Sequence, residues 1–437
     1  MVVDGTPAVR VHEISELKLG RLGQTIEIRS KTSATAALDG TPLGYRHERV
    51  EGTLERTLTG ERRGNDFVIE HRIGDRSSEV VVPMEPGLTL ASVIGALSYG
   101  ELTENFRRSG KAILEAEGDV QPYDLRVLKA EGSPPSFVVE LEIHVMKVLA
   151  TVGPAGRVRR LEYADLGMTY ELIEGDSEEG PHEVVDIFTQ GLFSASAPIP
   201  RAGLEELVLR LTDREGRPIE LPSDAGQRVV SSEQGTLVTV SAMKKPTRGP
   251  KLPIDDASVS AYRGATPYED LQDPALIKAS RAATGDANEA WLATQRLVQF
   301  VYEHIEAKTL EQSFTSASEA LATRKGDCTE HSVLFSALAK IAGIPTRLVT
   351  GLVYVGGPEN RFGYHEWAEV WLGDRWHPVD PTFGQTTADP THIKLAAAQS
   401  DPAGLRKASV VAATRLGNLN LEVRSYKRAG EPRVELP

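Results

Sequence analysis

Between residues 1 and about 190, apolar positions either alternate with polar ones or run in short blocks. "FVIEHRI", "EVVVPM", "AILEAEG", "FVVELEIHVMKVLATV" and "GMTYELI" are separated by Gly, Asp and Pro. Period-two alternation fits a strand with one buried face, and a short apolar block fits a covered strand. The pattern predicts a mostly antiparallel, curved, half-barrel-like β domain over 1–190. One interruption, "TLASVIGALSYGELTENFRRSG", predicts one or two short helices ending at Gly110. Residues 191–250 predict a small β segment, "LEELVLRLTD" and "GTLVTVSAM", followed by the basic, Pro-rich linker "KKPTRGPKLPIDD". The acidic run "EGDSEEG" predicts a solvated loop.

From about residue 255 the period changes to helical. Asp286 and Glu289 are spaced as a capping box before "AWLATQRLVQFVYEHI", in which Leu297, Val298, Val301 and Ile305 share one face. Ser316 and Glu319 predict a second, short helix, and Asp327 with Glu330 a third. Behind Asp327, Val333, Leu334, Ala337, Leu338 and Ile341 repeat at helical spacing, and Gly343 with Pro345 ends the helix. "GYHEWAEVWL" and "RWHPVDPTF" then predict a hairpin with a two-residue turn at Gly373-Asp374. The whole reads as an α+β chain: 1–190, 191–250, and a domain over 251–437 with its core at 285–385 and a C-terminal β tail.

Composition narrows the function. A net charge of −13, with no long basic run, disfavours nucleic acid and anionic membranes as partners. No apolar stretch reaches membrane-spanning length, and the first residues lack the basic and apolar regions of a signal peptide. The chain reads as soluble, cytoplasmic as it stands, or periplasmic or exported if it is the mature form of a longer precursor. Oligomeric state has no sequence signal.

Cys328 is the single cysteine, so no intrachain disulfide exists. With Asp327 as N-cap, Cys328 is the first helical residue. Unsatisfied backbone N–H groups and the positive end of the helix dipole stabilise a thiolate there and can receive an oxyanion, while Asp327 pushes the other way. An inert buried thiol is the competing reading.

A nucleophilic cysteine needs a base, and the base an orienting group. On the predicted hairpin, His365, Trp367, Glu369 and Trp371 share one face, and Ala368, Val370 and Leu372 give the other to the core. The two-residue turn sets Trp367 opposite Asp380 and His365 opposite Thr382. His365 and Asp380 then become same-face diagonal neighbours, with Cβ atoms roughly 7 to 8 Å apart.

"RKGDCTEHSVLFSALAKIAGIPTRLVTG" followed by "YHEWAEVWLGDRWHPVDPTFG" resembles the transglutaminase-like superfamily of papain-fold enzymes. The resemblance covers about residues 285–385, and the N-terminal β region is similar, more loosely, to half-barrel domains that precede this module in some bacterial members. It implies acyl transfer, with Cys328 as nucleophile, His365 as base and Asp380 fixing the imidazole tautomer. A protein or peptide substrate is implied, resolved by water or by an amine. Hydrolysis of an amide or peptide bond is the expected outcome. Isopeptide-forming transglutaminase activity, and a binding module that keeps the fold without catalysis, are the alternatives. Gln312 is the candidate oxyanion donor and Trp367 a candidate site-lining residue; Trp367 and Trp371 are also placed to line an amine channel.

No cofactor is expected: no calcium loop of the D-x-D-x-D-G type is present, and Cys328, His331 and His365 lack the paired-cysteine spacing of a zinc site. His331 reads as a helix residue with a local bond, His377 as structural, and Glu366 and Glu369 as solvated or paired strand charges.

Overall fold

Seven strands between Val2 and Pro83 lie side by side in chain order, and seven more between Leu88 and Glu171 form a second sheet, also in chain order. The computed structural model describes all residues except 4, 22–23, 52–53, 74–75, 144–145, 164–167, 173–184, 187–191, 267, 308–315, 358–359, 399–407, 409–418 and 437. The acidic run 174–180 therefore lies outside the described residues. The chain divides into two compact units: Met1–Leu19 with Ile26–Val185, and Asp186–Pro437 together with Gly20–Thr25.

In the first unit, alternation does what the sequence predicts. Ala34, Ala36, Tyr45, Leu58, Phe67 and Ile69 fill a core with Leu88, Leu90 and Ile113 from the second sheet and Val93 from the turn that follows Leu90. The helical interruption is shorter than expected. Ile94–Ser98 is one α-helical turn flanked by 3-10 turns, and Arg107–Leu114 is a strand that carries Gly110 within it. Only Val93, Ile94 and Ser98 are buried on this turn, so its apolar demand is met without a longer helix.

In the second unit, Thr346–Gly356, Arg361–Trp371, Trp376–Val379, His392–Ala397 and Phe193–Ser194 make one sheet. Helices Pro274–Thr284, Ala290–His304 and Ala317–Thr323 pack around Cys328–Ile341, which itself packs on Thr346–Gly356 and Arg361–Trp371. A second sheet orders Gln227–Ser232, Gly235–Ser241, Leu204–Thr212, Asn420–Arg428 and Val434–Glu435. The segment after residue 191 and the C-terminal tail are thus partners in one sheet. Leu207, Leu209, Leu211 and Val238 share a core with Leu352, Tyr354, Phe362 and Ile393 of the first sheet. The Pro-rich stretch before the helices is anchored: Gly249 N–H donates to Glu289 at 2.7 Å, and Ile254 N–H to the Gly343 carbonyl at 2.9 Å.

Helix ends follow the sequence in two of three cases. Ser316 Oγ accepts from Glu319 N–H at 3.2 Å, and Asp327 with Glu330 forms a complete capping box. Asp286 and Glu289 do not form one. The helix starts at Ala290, Asp286 pairs with Arg296 at 2.8 Å, and the Glu289 carboxylate is taken by Gly249. Leu297, Val298, Val301 and Ile305 are buried together as expected.

Candidate active site

The Cys328 helix begins in a tightly built turn. Asp327 Oδ1 accepts the Thr329 N–H at 2.8 Å, and Glu330 Oε2 accepts the Asp327 N–H at 2.8 Å. Gly326 has φ +149°, and a Cβ there would collide with the Glu330 side chain. The turn therefore holds Cys328 as the first residue of the helix, at the positive end of its dipole. Cys328 is buried, with 7% of its surface exposed. His331 is fully buried, and its Nδ1–H donates to the Asp327 carbonyl at 2.5 Å, the local bond expected of it.

The hairpin register matches the sequence reading over the paired residues, but the expected Trp367–Asp380 and His365–Thr382 pairs are not formed, because Asp380 turns to pair with Gln385. Ala368 opposes Val379, Glu369 opposes Pro378, Val370 opposes His377 and Trp371 opposes Trp376, with Gly373 at φ +99° in the turn. The ladder ends at Val379, and Asp380 begins a turn closed by paired bonds with Gln385, each 2.8 Å. The Asp380 carboxylate is fully buried and accepts four hydrogen bonds. Oδ1 takes Thr382 N–H at 2.7 Å and Phe383 N–H at 3.2 Å. Oδ2 takes His365 Nε2–H at 2.8 Å and His392 Nε2–H at 3.0 Å. With Nε2 committed to Asp380, His365 Nδ1 is the nitrogen left for proton exchange. Burial pushes the Asp380 pKa up, but the bonded histidines override it and hold the carboxyl well below the usual carboxylate range.

Helix and strand are joined beside this pair. Ser332, one turn on from Cys328, donates through Oγ to the Glu366 carbonyl at 3.1 Å, next to His365. Phe383 stacks flat on the His365 ring at 4.8 Å and is 38% exposed, so it forms a solvent-facing wall.

Both faces of the His365 strand are buried, not one. Trp367 is 1% exposed, stacked behind His365 at 6.2 Å. It therefore lies against the histidine from inside the fold and does not line an open channel. Gly351, opposite His365 on the neighbouring strand, makes room for it: a Cβ there would crowd the Trp367 ring and the Ile393 carbonyl. Trp371 is tied to Asp256 by a 2.9 Å bond and packs on Trp376. Glu366 and Glu369 are buried rather than solvated. Glu369 pairs with Arg347 from the adjacent strand and with Lys394, because a charge enclosed on a central strand needs cations brought to it. His377 packs on Trp291, and burial depresses its pKa to about 4. Gln312 lies outside the described residues.

His392 and Asp389 were not anticipated. A signal was present in the repeated "DPT" of "VDPTFGQTTADPTHIKL". Asp389 Oδ1 accepts Thr391 N–H at 2.9 Å, as Asp380 Oδ1 accepts Thr382 N–H, so each triplet builds the same turn. Among the described residues, His365, Asp380 and His392 form one donor group with ligand atoms within 4.8 Å of one another. Cys328 and His331, from the zinc reading, are not in that group. The two nitrogens stand at hydrogen-bond distance from a single oxygen, which suits two N–H donors better than a shared metal ion.

Residues 278–381 match the family model of the transglutaminase-like superfamily. The chain carries a transglutaminase-like domain. The chain is also similar to the kyphoscoliosis peptidase of Mus musculus, 29% identical over 112 residues, which is 22% of this chain and 16% of that protein. The match thus spans well under a fifth of the relative's length. Among solved structures, a candidate cysteine protease from Cytophaga hutchinsonii aligns with 56% of this chain and 86% of its own, at 17% identity and TM-score 0.34. A TGase structure aligns with 38% of this chain and 49% of its own, at 16% identity and TM-score 0.19. The transglutaminase-like domain is of the α+β class that the sequence predicted.

Proposed function

We propose that the transglutaminase-like domain hydrolyses an amide or peptide bond through a thioester on Cys328. The observation that carries this reading is the buried His365 Nε2–H···Asp380 Oδ2 bond of 2.8 Å, on a strand packed against the helix that Cys328 opens. The thiol proton passes to His365 Nδ1 as sulfur bonds to the carbonyl carbon. Backbone N–H groups at the helix start receive the developing oxyanion. Collapse breaks the C–N bond, and His365 returns the proton to the leaving amine. Water then attacks the thioester, giving its proton to His365 Nδ1. The acid leaves as the C–S bond breaks, and the proton goes back to sulfur. Asp380 holds the tautomer throughout and stabilises the imidazolium as it forms.

Water is the proposed acceptor because neither Trp367 nor Trp371 shapes an apolar path for a lysine stem. The test is a peptide library incubated with the full chain, with and without excess primary amine, read by mass spectrometry. Acid or cleaved peptide is expected as the main product in both. A dominant amine adduct makes the domain a transglutaminase, and no Cys328-dependent product at all makes it a binding module.

A further inference from the structure

In a Cys-His-Asp site the carboxylate is usually the end of the chain of hydrogen bonds. Here it is not. Asp380 Oδ2 also accepts from His392 Nε2–H at 3.0 Å, and His392 Nδ1 lies 3.0 Å from the Asp389 carbonyl oxygen and 3.5 Å from Asp389 Oδ1. Both nitrogens of His392 therefore face oxygens that can only accept. A neutral imidazole has one N–H and one lone pair, and its lone pair would be set against an acceptor oxygen. Two protons satisfy both contacts.

We propose that His392 is a positioning residue for the reaction, a buried imidazolium that holds Asp380 ionised and aimed at His365. This rests on the Cys328–His365–Asp380 reading. The resulting line is Asp389 carboxylate, His392 cation, Asp380 carboxylate, His365. Asp380 is fully buried, where an ionised carboxylate needs a charged partner. His365 is only intermittently charged during turnover and cannot serve that purpose at every step. His392 does so throughout. Three edge-on ring contacts fix its plane, with Trp367 at 5.2 Å, His365 at 5.7 Å and Phe383 at 6.3 Å.

The charged groups around the ring agree with this. From the hairpin come Asp380 and, further along, Glu369. From its own turn and strand come Asp389 and Lys394. From the second sheet's loop comes Asp224, which pairs with Lys394. Arg201 approaches Asp389 at 3.9 Å. Lys394 is neutralised by Glu369 and Asp224, so the two carboxylates bonded to His392 decide its state. Burial alone would depress its pKa; those bonds raise it to about 9.

The experiment uses the full chain and three arms. His392→Gln keeps an N–H donor and removes the charge. It should lower kcat roughly 10- to 100-fold with KM within about twofold. In an Asp380→Asn background the same change should cost little more, because His392 acts through Asp380. Nitrogen NMR of histidine-labelled wild-type protein should show both His392 nitrogens protonated at pH 7, with loss of a proton near pH 9. The proposal is overturned by a neutral His392 at pH 7, by stoichiometric zinc on wild-type protein that His392→Gln abolishes, or by an equal cost of His392→Gln in both backgrounds. The NMR arm needs no turnover, so a wild-type chain without activity refutes the reaction and leaves the state of His392 separately decided.

Discussion

Ser332 and Glu366 are joined by a 3.1 Å bond from hydroxyl to main-chain carbonyl, and this bond ties the first turns of the Cys328 helix to the strand position next to His365. Nucleophile and base come from different elements, so their separation depends on how helix and strand are held. Ser332→Ala should cost about 1 kcal/mol of stability. Turnover should fall by a few-fold while the fold, read by circular dichroism, is retained. A lower urea midpoint with turnover unchanged would show that the bond supports the fold alone.

The three site residues should separate by role. Cys328→Ala should abolish turnover with the melting temperature nearly unchanged, since one sulfur is removed at a helix start. His365→Ala should be nearly as severe, because nucleophile and base act as a unit. Asp380→Asn should leave a detectable enzyme, weaker by roughly a hundred- to ten-thousand-fold, if the carboxylate orients His365 rather than exchanging protons itself. Full activity in the His365 variant would place the base elsewhere.

How far the site was legible in the sequence follows from the range of the interactions that build it. The capping box from Asp327 to Glu330 spans four residues, and the hairpin register is set by two turn residues and a period of two. Both are local, and both were readable. Asp286 and Glu289 have the same spacing, yet Gly249, within the Pro-rich stretch forty residues earlier, claims the Glu289 carboxylate. His392 reaches Asp380 because its strand pairs with Thr346–Gly356, the strand that also pairs with the His365 strand. Nothing near His392 in the chain announces that arrangement except the repeated triplet. The C-terminal tail pairs with Leu204–Thr212, two distant segments whose alternation gives no hint of their partner. For Glu369 the sequence leaves solvated and paired readings open, because the cations that enclose it come from two other strands.

That enclosure makes a stability prediction. Arg347 and Lys394 pair with Glu369 and Asp224, and Arg347, Lys394 and Glu369 are largely buried. Glu369→Ala leaves two enclosed cations with one carboxylate and should cost about 3–5 kcal/mol. Adding Lys394→Met should recover part of that loss, because the unpaired charge goes with it. Denaturant unfolding of the second unit measures both. A double variant no better than the single would mean that packing, not charge, is what Glu369 supplies.

The first unit should carry its own pH dependence through Glu115. This carboxyl is buried, and Ser92 donates to its Oε1 through the main-chain N–H at 3.1 Å and through Oγ at 2.5 Å. Burial raises its pKa from 4.5 to about 7 despite those two bonds. Below about pH 4.5 the group is protonated folded and unfolded, and it contributes no penalty. Between about 4.5 and 7 the unfolded chain ionises while the folded one keeps its proton, so stability falls as pH rises. Above about 7 the loss is complete, on the order of 3 kcal/mol. Glu115→Gln retains the oxygen that Ser92 uses and removes the titration. Hydrogen exchange of strand Leu54–Arg63 in the full chain should therefore speed up, once corrected for intrinsic rates, from pH 5 to pH 7.5 in the parent. In the variant it should stay nearly flat; the same slope in both would assign the dependence to another group.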